Sequence, residues 1–252
     1  MLTDIRSRAF ASASLAFALA AGPARLGAES VDEILSRHVE ARGGRQKIQE
    51  LWSVRMTGTI AFGPGQPAPF SLQMRRPNKM RTEFVFQGMT GIQAFDGERA
   101  WAVLPMAGKT EAEYLPAEAA REAAEQADIE GPLVDAAAKG HKVELMGHEK
   151  VDGRDCVKLM VTLKSGTVRY VYLDAVSFLE VKGEGRRTAG GDEVMLETYY
   201  RDYRDVGGLK LPFLIEAGPA KRPEKQKIVL DKIELNVLVR GDDFERPAPR
   251  RP

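Results

Sequence analysis

The chain has one cysteine, Cys156, in 252 residues. An exported protein with a lone cysteine holds no internal disulfide, so its stability must come from burial. Cys156 sits in a strand pattern with no histidine near it in sequence. It therefore reads as a small core residue rather than a reactive thiol. Histidines are scarce too: His38, His141 and His148. His38 falls on the apolar stripe of a helix with no partner at metal spacing. His141 and His148 flank a short strand at 142–145, so they cannot chelate one metal together. The sequence has no H-E-x-x-H, no G-x-S-x-G, no G-x-G-x-x-G ahead of a helix and no P-loop lysine. No catalytic residue, metal site or cofactor is assigned. Charge of one sign is also missing: 37 Lys+Arg stand against 36 Asp+Glu. Nothing here favours nucleic acid as a partner. Beyond the N-terminus, no apolar run is long enough to span a bilayer, which takes about 20 residues.

The N-terminus has the layout of a secretory signal. Arg6 and Arg8 precede an apolar run at 9–21, and small residues follow at Gly27-Ala28. Cleavage after Ala28 removes three arginines and one acid, leaving 34 basic and 35 acidic residues and a net charge of −1. No cysteine near that point would carry a lipid. The expectation is a cleaved signal over 1–28, a single domain over 29–245, and a flexible Pro/Arg-rich tail over 246–252, in a protein soluble in the compartment it is exported to.

What is abundant is strand pattern. Residues 31–42 read as an amphipathic helix with Ser30 as N-cap, ended by Gly43-Gly44. Residues 45–51 add a helical turn or two. Residues 52–62 alternate as a first strand, with Val54, Met56, Ile60 and Phe62 on one side. Residues 70–104 follow as four short strands with turns at Pro77-Asn78, Gly88 and Asp96-Gly97. Their apolar set is rich in methionine and phenylalanine, which make a large, soft surface. Residues 105–108 form a loop. Pro116 starts a helix over 117–128, and a second short helix is expected over 133–139. The first of these has only an alanine stripe, Ala119, Ala120, Ala123, Ala124 and Ala127, which holds weakly because each side chain buries little area. It reads as a lid or plug, or as a cap on one barrel end. From Lys142 the strands return, with turns at Asp152-Gly153, Ser165-Gly166, Gly190-Gly191 and Gly207-Gly208, to a last strand over 227–237. Charged residues on the 194–206 strand (Glu197, Arg201, Asp202, Arg204 and Asp205) read as a solvated face. Such a meander closes as a sandwich or leaves a cavity.

The order of several short motifs resembles a known superfamily. Gly43-Gly44 follows the first helix. Arg76-Pro77-Asn78-Lys79-Met80-Arg81 comes next, then Phe95-Asp96-Gly97 with Trp101, then Gly131-Pro132-Leu133-Val134-Asp135. Tyr172-Leu173-Asp174, Gly208-Leu209-Lys210-Leu211-Pro212 and Ile233-Glu234-Leu235-Asn236 complete it. This order resembles outer-membrane lipoprotein-sorting-like proteins of the lipoprotein carrier (LolA/LolB-like) superfamily. The resemblance implies a mainly β fold: an incomplete antiparallel β-barrel, or half-barrel, with an N-terminal helix and a mid-chain helical plug. It implies a non-catalytic periplasmic role in which an apolar cavity takes acyl chains. The partners implied are an acylated lipoprotein or a lipid, and an inner- or outer-membrane partner protein. On the residues, the expected cavity lining is Met56, Phe70, Leu72, Met74, Met80, Phe84, Phe86, Met89 and Trp101. Two alternatives remain: an envelope sensor of the same fold acting through a partner surface, and a secreted enzyme with a site assembled from distant acids and histidines, which activity lost on changing His141 or His148 would favour.

Overall fold

The structure, a computed structural model, describes residues 29–189 and 192–248. The expected signal, the Gly190-Gly191 turn and the last four residues lie outside the described residues. Helix α1 (Val31–Ala41) opens on a capping box: the Glu33 backbone N–H donates to Ser30 Oγ, and the Ser30 N–H donates to the Glu33 carboxylate. Gly43-Gly44 turns the chain into α2 (Arg45–Gln49). Gly43 has φ +120, and a Cβ there would meet the Gly208 carbonyl oxygen at 2.1 Å, so glycine alone fits.

Thirteen strands follow. The first six are β1 (Ser53–Phe62), β2 (Ala68–Arg75), β3 (Lys79–Phe86), β4 (Met89–Phe95), β5 (Ala100–Leu104) and β6 (Lys109–Tyr114). Helix α3 (Ala117–Gln126) intervenes. Then come β7 (Lys142–Val151), β8 (Arg154–Thr162), β9 (Val168–Asp174), β10 (Glu180–Ala189), β11 (Asp192–Val206), β12 (Leu209–Pro219) and β13 (Gln226–Leu235). They form one sheet in the order β6-β5-β4-β3-β2-β1-β13-β12-β11-β10-β9-β8-β7, antiparallel throughout. The sheet is open, with β6 and β7 at its two edges. These edges are consecutive in sequence, so the segment holding α3 crosses from one edge to the other.

That crossing shows how strongly the sheet curves. Helix α3 packs against β3, β4 and β5 and also forms ion pairs to β9 and β10. β5 and β9 are nine strand-steps apart in the sheet, about 43 Å if it were flat. A helix about 10–12 Å across can touch both only if the sheet wraps around it. This is the expected half-barrel with a helical plug.

One expected element is corrected. Residues 133–139 do not form a helix but a series of turns. Asp135 has φ +51, a left-handed conformation that interrupts a right-handed helix, and its carboxylate pairs with Arg45. An ion network also fixes this segment. Glu130, 7 % exposed, accepts from Arg76 at 2.6 Å and faces Lys139 at 3.1 Å. Arg76 also donates to the Leu51 and Ile48 carbonyls, and Arg42 to the Glu130 carbonyl. Burial pushes the Glu130 carboxyl up, but the hydrogen bonds from Arg76 and Lys139 outweigh it and hold the group below its ordinary value. β6 has no counterpart in the sequence reading.

The core lies on the concave face. One cluster joins α1 and α2 to β1, β12 and β13 through Val39, Ile48, Val54, Leu211 and Leu230. A second joins Ile34 to Val157, Leu159, Val171 and Leu173. Cys156 is fully buried on the opposite face beside Tyr172, and burial raises its thiol, in keeping with a core residue.

Candidate ligand-binding cavity

Pairing register assigns each expected lining residue to a face. Met74 pairs with Met80, which pairs with Phe95, which pairs with Ala100. Phe70 pairs with Phe84, Met56 with Leu72, and Phe86 with Met89. By strand alternation the eight expected Met, Phe and Leu residues share the concave face, together with Phe95. Trp101 does not. It pairs with Ala94, which pairs with Arg81, the row that faces outward. Trp101 is fully buried there, with Nε1 donating to the Phe244 carbonyl at 2.8 Å and the Arg81 guanidinium 5.6 Å from the ring. Its place in the lining is therefore withdrawn: the C-terminal turn Gly241–Phe244 covers it on the convex side. Arg246, assigned by sequence to the tail, also docks on this side, donating to the Ala112 carbonyl and lying over the Tyr114 ring.

Six of the eight concave residues fall into two groups. Met74 and Met80 are buried beneath Ala123 of α3 and Ala127 at its C-terminal cap. The alanine stripe that looked too weak for a core lets the helix lie close on them. Phe70, Met56, Leu72 and Phe84 belong to the cluster below α1 and α2. Phe84 lies tilted and Phe86 edge-on to Phe62, with ring centroids 6.0 and 5.1 Å away.

Elsewhere on the concave face, bordered by none of the nine expected lining residues, a cavity of about 1210 Å³ opens between α3 and strands β9 to β12. That exceeds the usual range for small-molecule pockets, about 300–1,000 Å³. Its roof is the second stripe of α3: Glu118, Arg121, Glu122, Glu125 and Gln126. These recur at the helical spacing opposite the alanines, so one helix presents alanine to β3–β5 and charge to the cavity. The floor holds Val171, Leu196, Thr198, Tyr200 and Ala217, with two bare positions, Gly183 and Gly185. Neither glycine has a left-handed φ. A Cβ at Gly183 would sit 3.9 Å from Tyr200, and one at Gly185 would sit 3.6 Å from Arg169, both ordinary contacts. Glycine here leaves volume rather than relieving strain.

Glu125 and Glu122 tie the roof to β9, β10 and the turn before β9. Glu125 accepts from Arg169, Ser165 and Thr167 at 2.6, 2.6 and 2.7 Å, and Glu122 pairs with Arg187 at 2.7 Å. The Glu122–Arg187 pair is partly exposed, and such a pair contributes about 0–1 kcal/mol.

The catalytic alternative gains nothing from the geometry. His141 Nδ1 accepts from the Lys164 backbone N–H, and His148 is exposed further along β7. Seven residues of strand put them about 23 Å apart. The charged residues of β11 named above are matched: Glu197 by Lys182 and Lys225, Arg201 by Asp152 and Glu216, Asp202 by Arg204, and Asp205 by Lys210. Among the described residues no group of three or more His, Cys, Asp or Glu could hold a metal.

No family model and no curated sequence matches the chain. Solved structures do. An outer-membrane lipoprotein-sorting protein domain from Vibrio parahaemolyticus superposes with a TM-score of 0.57 at 14% identity, covering 85% of this chain and 97% of that one. A LolA superfamily protein from Nitrosomonas europaea gives 0.56 at 15% identity, covering 86% and 98%. A DUF1329 family protein from Desulfovibrio piger gives 0.58 at 12% identity, covering 86% and 98%. The open sheet wrapped around a crossing helix is thus the fold of these LolA-superfamily and lipoprotein-sorting-domain structures.

Proposed function

We propose that this protein is a non-catalytic periplasmic carrier that shelters the acyl chain of a lipid or lipoprotein in the cavity beneath α3. The cavity itself carries the reading: about 1210 Å³ between helix α3 and a glycine-bearing floor. A curved sheet that buried its whole concave face would leave no such space. Export through residues 1–28 and handover to a membrane partner complete the proposal, and the fold shared with lipoprotein-sorting domains supports it. Helix α3 is the element that moves. The 128–140 turns stay in place, because Glu130 ties them to Arg76 and Lys139.

Each methylene removed from water contributes about 0.8 kcal/mol. A twelve-carbon chain then gains roughly 9 kcal/mol before the cost of association, which is about 4 kcal/mol or more. The surplus sets sub-millimolar binding, tightening with chain length. The test is uptake of the neutral fluorophore N-phenyl-1-naphthylamine by the mature protein and its displacement by dodecanoyl glycerol. Saturable uptake at one site, reversed at sub-millimolar dodecanoyl glycerol, is expected. No uptake, or a dye signal that dodecanoyl glycerol leaves unchanged, overturns the proposal.

A further inference from the structure

One end of the cavity has an unusual set of unmatched groups. β10 carries a bulge between Glu180 and Lys182. Lys182 and Glu184 face the convex side, where both approach Tyr172. The bulge turns Glu180 the other way, paired with Leu173 and facing α1. Bulges re-aim side chains in this manner beside functional sites.

Inside, Glu180 meets His38 of α1. His38 is fully buried, and its Nδ1 lies 2.8 Å from the Phe178 carbonyl oxygen. A carbonyl only accepts, so Nδ1 carries the proton and Nε2 presents a lone pair. Nε2 has no hydrogen-bond partner and stands 3.9 Å from the Glu180 carboxylate, acceptor facing acceptor. Burial lowers the imidazole pKa, which keeps His38 neutral. No lysine or arginine nitrogen lies within 4.0 Å of Glu180 among the described residues. The nearby cations are engaged elsewhere: Arg169 by Glu125, Arg42 by the Glu130 carbonyl. Tyr200, which lines the cavity with Glu180, makes no hydrogen bond among the described residues.

We propose that Glu180, with Tyr200 beside it, is the anchor for an ammonium group, so that the cavity selects amine-bearing amphiphiles over neutral and anionic ones. This rests on the carrier reading. A carboxylate in a partly dry site with no cation beside it costs free energy that a ligand cation offsets. Three donor hydrogens of a primary ammonium match the Glu180 oxygens and the Tyr200 hydroxyl.

The experiment compares dodecylammonium, dodecanoate and dodecanoyl glycerol as displacers of N-phenyl-1-naphthylamine from the mature protein at neutral pH. Dodecylammonium should displace the dye at a concentration at least tenfold below dodecanoyl glycerol, and dodecanoate should be the weakest. In Glu180→Gln the ammonium-to-neutral ratio should fall to within threefold. Dye uptake with a wild-type ratio within threefold overturns the anchor while the carrier reading stands. A ratio that survives Glu180→Gln in a protein with an unchanged melting transition also overturns it. Failure of the dye to enter the wild type overturns both.

Discussion

Trp101→Ala should lower the unfolding free energy by about 3–5 kcal/mol, the range for emptying the site of a large buried aromatic. Trp101 is fully buried, and so is Phe244, whose carbonyl accepts the indole N–H. Arg81, stacked near the ring, also donates to the Asp243 carbonyl at 3.0 Å. The substitution therefore removes packing and a hydrogen bond together, and it loosens the turn that closes the convex side. Urea unfolding reads the loss. Ligand uptake by the remaining folded protein should be unchanged, because Trp101 faces away from the cavity. Lost uptake with little loss of stability would return Trp101 to the lining.

The double substitution Gly183→Phe/Gly185→Phe should have the opposite profile: binding falls at least tenfold while stability holds. A single added side chain is small against about 1210 Å³, so two aromatic rings are required. Both glycines have space for a Cβ and no left-handed backbone, so neither change strains the chain. Phenylalanine also suits a strand better than glycine. A tenfold loss corresponds to about 1.4 kcal/mol, readable by displacement of N-phenyl-1-naphthylamine. Unfolding at lower urea would mean that the floor is closed core. Unchanged binding in a folded protein would move the ligand away from β10.

The strands were legible because their alternation is strong. Phe70, Leu72 and Met74 at two-residue spacing, punctuated by Pro77-Asn78 and Asp96-Gly97, place β2 to β5 within a residue or two of their observed ends. Trp101 was misplaced because bulk was read ahead of parity: small Ala100 and Ala102 hold the concave positions of β5. β6, Lys-Thr-Glu-Ala-Glu-Tyr, escaped notice because an edge strand exposed along most of its length needs no apolar alternation. The cavity escaped for a related reason. Its signals are two glycines inside a strand and the charged stripe of α3, and both patterns normally mean solvent. Only the wrapping of the sheet turns that stripe inward. The Glu180 anchor depends on a bulge, which alternation alone cannot reveal.

The most direct test of the carrier account is mass spectrometry of an organic extract from the protein, purified without detergent from a periplasmic fraction. The account predicts a near-stoichiometric acylated molecule, depleted in the Gly183→Phe/Gly185→Phe variant. A folded wild-type protein that yields no acylated molecule, and takes up none when challenged with lipid, would contradict it.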